Sequence, residues 1–130
     1  MFNDVIIDRE EHIGLITLSR PEALNALTLP MIQALHQQLR LWHEDDDIHA
    51  VVVQAAPGKA FCAGGDVRWL YEMGLAKKTE KMQFFWEEYR LNYFIHQFKK
   101  PYIALMDGIT LGGGVGISLH GSHPVATERF

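Results

Sequence analysis

The chain has 130 residues, a length that suits one domain or a part of a larger one. Hydrophobic residues make up 48% of it and charged residues 22%, which is the composition of a folded globular protein and excludes a disordered chain. The net charge is −4 without a basic stripe, so nucleic acid is not an expected partner, and the single cysteine excludes an intrachain disulfide.

The first elements predicted along the chain are two strands and a loop. Phe2–Asp8 and Ile13–Ser19 have the apolar pattern of strands and are joined by a charged turn. Arg20–Leu27, with the sequence RPEALNAL, is predicted as a loop because Pro21 and Asn25 interrupt regular structure.

An amphipathic helix and a buried strand are predicted next. Thr28 and Pro30 stand where helix starts are favoured, and apolar residues at helical spacing predict a helix over about residues 28–44. The acidic run Glu44–Asp47 follows, and we interpret it as a solvated turn rather than a metal site. The unbroken apolar run Ala50–Ala56 predicts a buried strand of a parallel sheet.

A strand-to-helix crossover is predicted at Gly58–Arg68, GKAFCAGGDVR, in which Asp66 caps a helix that continues through Leu70 or beyond. A break is predicted from Gly74 to Lys78, and Thr79–Phe98 is predicted as a longer helix. This second helix is apolar on several sides, so we expect protein to cover more than one of them. Its main apolar face, interpreted as core, consists of Met82, Phe85, Trp86, Tyr89 and Tyr93, and is widened by Phe84, Leu91, Ile95 and Phe98.

The last part of the chain predicts two more strands and a helix. Tyr102–Met106 has the pattern of a short buried strand, and Asp107–Gly121 passes from a strand through a glycine turn into a helix. Val125–Thr127 begins a final strand. The predicted order, β-β-α-β-α-α-β-α-β, is typical of an α/β layered fold with right-handed crossovers.

Glycine clusters stand between a buried strand and a helix at two places, Gly64-Gly65 and Gly112–Gly114. Neither cluster has the spacing of a phosphate-binding loop. Glycine lets another molecule approach the backbone closely, and the start of a helix presents unpaired N–H groups. Two such turns on neighbouring strands could aim two donors at one carbonyl oxygen, as an oxyanion hole does. Tight packing of helix on strand is the alternative, and the residues alone leave both open.

Cysteine and histidine offer weaker candidates for chemistry. Cys62 could be a nucleophile, but no histidine lies near it in sequence to activate it, so we interpret it as a small buried residue. His120 and His123 have a ligand-like separation but lack a third ligand, and no metal site is predicted.

Four blocks of sequence resemble, in order, those of the enoyl-CoA hydratase/isomerase (crotonase) superfamily: RPEALNAL, GKAFCAGGDVR, KPYIALMDGITLGGGVG and VATER. The resemblance covers nearly the whole chain. It implies an α/β fold of the ClpP/crotonase type, a spiral of β-β-α units that binds CoA thioesters between sheet and helices. Family members are about twice as long or more, so residues 1–130 resemble the N-terminal part of an acyl-CoA domain whose second half is absent.

The blocks CAGGDVR, EEYRLN, GITLGGGVGISLHG and VATER are most similar to the subfamily that hydrolyses 3-hydroxyisobutyryl-CoA in valine breakdown. This similarity implies that the backbone N–H groups of Gly65 and Gly113 form the oxyanion hole. It also implies a set of substrate-binding residues: Glu88 on the long helix, Ala63 at the CoA adenine, Leu24 along the pantetheine path, and Gly64 and Gly112 beside the two donors. CoA is then part of the substrate, and no permanently bound cofactor is expected.

Two positions depart from the family patterns, and two motifs of the subfamily would fall outside the chain. Hydratases carry a catalytic glutamate at the position of Gly116, so its absence argues against hydration of an enoyl-CoA. The subfamily's catalytic glutamate, in a PE motif, and the aspartate of a PD motif would both fall beyond Phe130, so we expect this chain alone to be inactive. An arginine commonly occupies the position of Pro124.

Lys100 and its neighbour Lys99 could meet the CoA phosphates, but a solvated helix end is the preferred interpretation.

Two alternatives to a thioester hydrolase stay open at this point. One is an enoyl-CoA hydratase or isomerase, and the other is a non-catalytic acyl-CoA-binding module. The expected partner is a small acyl-CoA, with neither nucleic acid nor a membrane, and a homo-oligomer is left open. No stretch approaches the roughly 18 apolar residues of a membrane span, and the first residues do not resemble a signal peptide, so a cytoplasmic location is expected.

Overall fold

A computed structural model describes residues 4–76 and 78–130 of the chain, and these residues form two β-sheets and four α-helices. The strands are β1 (Val5–Glu10), β2 (Ile13–Leu18), β3 (Ala50–Ala55), β4 (Ala60–Cys62), β5 (Tyr102–Met106), β6 (Ile109–Thr110) and β7 (His123–Ala126). The helices are α1 (Leu29–His43), α2 (Val67–Ala76), α3 (Lys78–Gln97) and α4 (Gly113–Leu119).

The larger sheet has the strand order β1-β2-β3-β5-β7. Only the β1–β2 pair of this sheet is antiparallel, and its other neighbours are parallel. Parallel neighbours need a crossover, which α1 supplies between β2 and β3 and α4 supplies between β5 and β7. Val51 and Val53 of β3 are fully buried, so the prediction of a buried strand in a parallel sheet is confirmed.

The amphipathic first helix is also confirmed. The Thr28 hydroxyl accepts a hydrogen bond from the Met31 N–H at 3.4 Å and caps α1, whose first turn contains Pro30. Residues at helical spacing on its inner face are buried against the sheet: Ile32, Leu35, Leu39 and Trp42. The acidic residues after α1 lie in a turn, which the Ile48 N–H closes on the Asp45 carbonyl.

Several predicted boundaries differ from the structure. The strand pair β4–β6 was not predicted, because elements of two or three residues are too short to show a periodicity. The break predicted from Gly74 to Lys78 begins inside α2, which continues through Gly74 to Ala76. At its other end, α3 already includes Lys78, and Lys77 lies outside the described residues. β1 extends to Glu10, and Phe2 and Asn3 of the predicted strand lie outside the described residues. β7 begins at His123, two residues earlier than predicted.

The main core face predicted for α3 is wrong in four of its five residues, whereas Phe85 is partly buried and the residues expected to widen the face are buried. Met82, Trp86, Tyr89 and Tyr93 are each at least 59% exposed. The buried stripe is instead formed by residues three or four apart on another side: Phe84, Glu88, Leu91 and Ile95. A helix that is apolar on several sides does not itself specify which side its neighbours cover, and here α1, α2 and α4 all pack against α3.

None of the helices in the described part of the chain combines the length and the apolar character that crossing a membrane requires.

Candidate functional site

The two glycine turns meet at one place in the fold. A Cβ atom built on Gly64 would lie 3.6 Å from the Gly113 nitrogen, and a Cβ built on Gly113 would lie 3.4 Å from the Gly65 nitrogen. Gly64 and Gly112 have φ angles of +113° and +49°, a backbone region that side-chain-bearing residues rarely adopt. The turns therefore approach each other as closely as they do because their residues lack side chains.

The orientation of the Gly65 N–H follows from its neighbours' hydrogen bonds. The Leu27 N–H donates to the Gly64 carbonyl at 2.7 Å, and the Asp66 N–H donates to the Leu27 carbonyl at 2.8 Å. In such a parallel bridge, the residue between the two bonded groups directs its own N–H away from the partner segment. Within residues 4–76 and 78–130, neither the Gly65 nor the Gly113 N–H has a hydrogen-bond partner.

Glu88 brings a carboxyl group to this place from α3. Its Oε2 atom would be 2.6 Å from a Cβ on Gly113, and the side chain is only 8% exposed. Burial raises the pKa of this carboxyl above its usual value. Glu88 is thus a buried acid beside the Gly65 and Gly113 amides.

The other predicted substrate-binding residues lie around the same turns. The Ala63 N–H donates to the Leu24 carbonyl at 3.0 Å, which joins the 20–27 loop to the first glycine turn. Leu24 is partly exposed and lines an open cleft of about 530 Å³ together with Arg20 and Arg68. Gly112 is exposed immediately before α4. The structure therefore brings all seven predicted residues to one region of the fold.

Cys62 is buried, as predicted. It is 0% exposed, and its thiol donates to the Asn25 carbonyl at 3.2 Å. Burial raises the pKa of this thiol to about 12. A thiol with that pKa is protonated near neutral pH, so Cys62 has no nucleophilic thiolate to offer.

Lys100 and His123 use their side-chain nitrogens in hydrogen bonds within the protein. The Lys100 ammonium donates to the carbonyls of Trp42 and Asp45 and so closes the end of α1, which neither interpretation of this residue anticipated. The His123 ring shares a hydrogen bond with the Ser122 hydroxyl at 2.7 Å. Within the described ranges, no three potential metal ligands come together.

Two features of the site were not predicted from the sequence. The first is the attachment of the 20–27 loop to the first glycine turn. Asn25, which is 2% exposed, donates a hydrogen bond to β4, and Arg20 forms an ion pair with Asp66 at 2.6 Å. Asn92 packs against Gly116 on α4, where an added Cβ would come within 2.6 Å of its Nδ2 atom. The only sequence signal for the first feature is the RPEALNAL block, in which Asn25 predicts an interruption of regular structure and nothing more.

The chain matches known proteins over most of its length. A family model described as "Enoyl-CoA hydratase/isomerase" matches residues 13–130. The protein named 3-hydroxyisobutyryl-CoA hydrolase, mitochondrial, from Rattus norvegicus is 50% identical over 126 residues, which are 97% of this chain and 33% of the relative. The protein of the same name from Xenopus tropicalis is 54% identical over 116 residues, or 89% of this chain and 30% of the relative. The chain thus spans about a third of these relatives' length.

Solved structures have the same fold. A structure titled as a carnitinyl-CoA dehydratase from Mycobacterium thermoresistibile superposes with a TM-score of 0.94 at 41% identity, covering 98% of this chain and 38% of that one. A structure titled as an enoyl-CoA hydratase from Rhodobacter sphaeroides gives a TM-score of 0.93 at 44% identity, with the same coverage. These matches confirm the α/β crotonase-type fold expected from the resemblance.

The expectation of a cytoplasmic location is contradicted. The relatives from rat, chicken and human are all named as mitochondrial proteins. Composition and the absence of an apolar run could not reveal this, because organelle targeting is read from separate segments and not from the folded domain.

Proposed function

The chain belongs to the enoyl-CoA hydratase/isomerase family, and from this premise we propose that it forms the carbonyl-binding part of a CoA-thioester hydrolase. The substrate that we propose is 3-hydroxyisobutyryl-CoA, and the reaction is its hydrolysis in valine breakdown. The relatives that share half of this chain's residues are named for that substrate. The observation that carries the proposal is the convergence of the Gly65 and Gly113 amides, which have no partner among the described residues, beside the buried carboxyl of Glu88.

The two amides would bind the thioester carbonyl oxygen. When water attacks the carbonyl carbon, negative charge develops on that oxygen, and two fixed N–H donors stabilise the charged state more than the neutral one. Removing one such donor typically lowers kcat about 100-fold or more. The glycines suit this role because a side chain at Gly113 would occupy the space beside the Gly65 nitrogen.

Glu88 would contact the acyl group next to the oxyanion hole. Its carboxyl lies against Gly113, and its raised pKa increases the share of the protonated form, which can donate as well as accept a hydrogen bond. We assign it the role of orienting the substrate. The group that takes the proton from the attacking water is proposed to lie in the part of the relatives' length that this chain does not span.

The reaction balances without a further reagent. The water oxygen forms a bond to the carbonyl carbon while its proton passes to the base. The C–S bond then breaks, the oxyanion collapses to a carboxylic acid, and the thiolate of CoA takes up a proton. The open cleft beside Leu24, lined by Arg20 and Arg68, is where we propose that the CoA portion lies. Of these two guanidinium groups, that of Arg68 would favour the CoA phosphates, because Arg20 is already paired with Asp66.

Hydration of an enoyl-CoA is the second candidate. It is favoured by the solved structures titled as a hydratase and a dehydratase, each more than 40% identical to this chain. The position of Gly116 counts against it, because Asn92 fills the space that any side chain there would need. The two reactions differ in product, since only hydrolysis releases free CoA thiol.

The test compares this chain with a chimera in which the chain replaces the third of the rat relative that it matches. Both are assayed for thiol release from 3-hydroxyisobutyryl-CoA and for hydration of crotonyl-CoA. We expect thiol release by the chimera and none above background by the chain alone, because the chain has donors without a placed base. A chimera that hydrates crotonyl-CoA faster would favour the second candidate, and one that binds the thioester without turnover would indicate a binding module. Turnover by the chain alone that Glu88→Gln abolishes would make Glu88 the base.

A further inference from the structure

Asn25 anchors the 20–27 loop to strand β4. It is 2% exposed and has a φ of +56°, a left-handed conformation in which asparagine is enriched. Its Nδ2 donates to the carbonyls of Ala60 and Phe61 at 3.1 Å each, and its Oδ1 accepts from the Arg20 N–H at 2.7 Å. Both hydrogens of the amide and its oxygen are therefore used, and the loop is tied to the strand that leads into the first glycine turn.

Arg20 and Asp66 connect the 20–27 loop to the other side of the same glycine turn. The guanidinium of Arg20 lies 2.6 Å from the Asp66 carboxylate and also donates to the Ala26 carbonyl at 2.9 Å. Asp66 accepts from the Trp69 N–H at 3.0 Å and caps α2. Burial raises the pKa of Asp66, but the hydrogen bonds from Trp69 and Arg20 outweigh it and hold the pKa below its usual value. The pair therefore stays charged near neutral pH.

Between these anchors, the backbone of residues 63–66 bonds the loop at three successive points. The Ala63 N–H donates to Leu24, the Gly64 carbonyl accepts from Leu27, and the Asp66 N–H donates to Leu27. Gly65 itself has no side chain to restrict its peptide planes. Its N–H direction is set by the bonds on either side of it and, through them, by the loop.

We propose that Asn25 and the Arg20–Asp66 pair are positioning residues that hold the Gly65 N–H in the direction of the thioester carbonyl. This inference rests on the proposed function, because it assigns these residues to one of the two proposed oxyanion donors. The physical reason is that a donor stabilises developing charge only if it needs no reorientation when the charge appears. A loop that merely stabilised the fold would not have to fix the orientation of one amide.

The test measures the two glycine amides separately by NMR in the ¹⁵N-labelled chain. Arg20→Gln removes the ion pair while leaving a side chain of similar reach, and Asn25→Ala removes the deeper anchor. The matched control is Arg9→Gln, which breaks the exposed pair between Arg9 on β1 and Asp45 in the turn after α1, whose charged atoms are 3.7 Å apart. Relaxation gives the backbone order of each glycine without ligand. Titration with a ketone analogue of 3-hydroxyisobutyryl-CoA, in which a methylene replaces the thioester sulfur, gives the carbonyl-induced shift of each N–H.

In Arg20→Gln we expect the order parameter of Gly65 to fall from about 0.85 toward about 0.6, with Gly113 unchanged. The ligand-induced shift of Gly65 should fall by about half or more, while that of Gly113 is retained. Arg9→Gln should change neither amide. If Asn25→Ala does not fold, Arg20→Gln at the more accessible site still decides the question. If Gly65 has the same order parameter and the same ligand-induced shift in Arg20→Gln as in Arg9→Gln, the positioning role is overturned, while the proposed function is unaffected. Absence of a shift at both glycines in the unsubstituted chain would instead overturn the proposed function.

Discussion

The Oε2 atom of Glu88 and the backbone of Gly113 are in direct contact, so close that a methyl group on Gly113 would stand 2.6 Å from that oxygen. Gly113 is in the first turn of α4 and Glu88 is in the middle of α3, so the contact joins two helices that are separate in sequence. A buried acid and a free amide thereby share one small space. How tightly that space and its neighbours are filled determines what a substitution there does.

Gly113→Ala should abolish most of the thioester hydrolysis of the chimera. The new methyl group would lie 2.6 Å from Glu88 Oε2 and 3.4 Å from the Gly65 nitrogen, so it would displace the acid and obstruct the carbonyl oxygen's place. We expect kcat to fall about 100-fold, as when one oxyanion donor is lost. Gly58→Ala is the matched control, because a methyl group there meets nothing closer than 3.8 Å. Equal kcat values for the two variants would refute an oxyanion hole at Gly113.

Glu88→Gln should stabilise the folded chain at neutral pH while lowering the kcat of the chimera. The pKa of Glu88 is raised on folding, so the folded state binds more protons than the unfolded state once the pH exceeds the ordinary value of 4.5. Stability is therefore lost as pH rises from there through the folded-state pKa. Glutamine has no such proton to lose, so its advantage in Tm should be present at pH 7 and vanish below about pH 4.5. Thermal denaturation across this range measures it, and an advantage independent of pH would contradict the burial of the charge.

Cys62→Ala should leave hydrolysis by the chimera largely intact and should remove a specific alkaline instability. The thiol's pKa is about 12 in the fold against an ordinary 9.0, so above pH 9 the unfolded state loses its proton first. Each further pH unit then costs the fold up to about 1.4 kcal/mol. Urea denaturation at about pH 8 and about pH 10 should show this loss in the unsubstituted chain and a smaller one in Cys62→Ala. Loss of hydrolysis in a normally folded variant would restore the nucleophile interpretation.

Gly116→Ala should destabilise the chain although alanine is the better helix former. Helix propensity alone would favour alanine by about 1 kcal/mol, whereas a methyl group 2.6 Å from Asn92 Nδ2 overpacks the α3–α4 contact at a cost of about 1–3 kcal/mol. Asn92→Ala should relieve that cost. Because the Asn92 Oδ1 atom is buried without a partner among the described residues, its removal by itself should be nearly neutral. A double-mutant cycle in urea measures the coupling, and additive effects would show that the two residues do not compete for space.

The regular elements were largely determined by the sequence itself. The buried face of α1 and its Thr28 cap, the apolar strand β3, and the cap at Asp66 each depend on a local pattern, and each is present in the structure. These predictions succeeded because periodicity and capping are properties of a few consecutive residues. The same reasoning missed β4 and β6, whose two or three residues pair only because distant segments meet.

The site depended on tertiary structure and on family resemblance. Glycine turns suggested amide donors, but only the fold brings Gly65 beside Gly113, and the roles given to them stay predictions. α3 shows most clearly what the sequence pattern leaves undetermined. Its sequence is apolar on several sides, and packing on neighbouring helices buries Phe84 and Glu88 while leaving Trp86 and Tyr89 exposed. Which side of a helix is buried depends on what lies next to it. A local sequence pattern contains no information about that neighbour, so only the tertiary structure shows the Glu88 carboxyl against Gly113 and the Phe84 ring against Gly65.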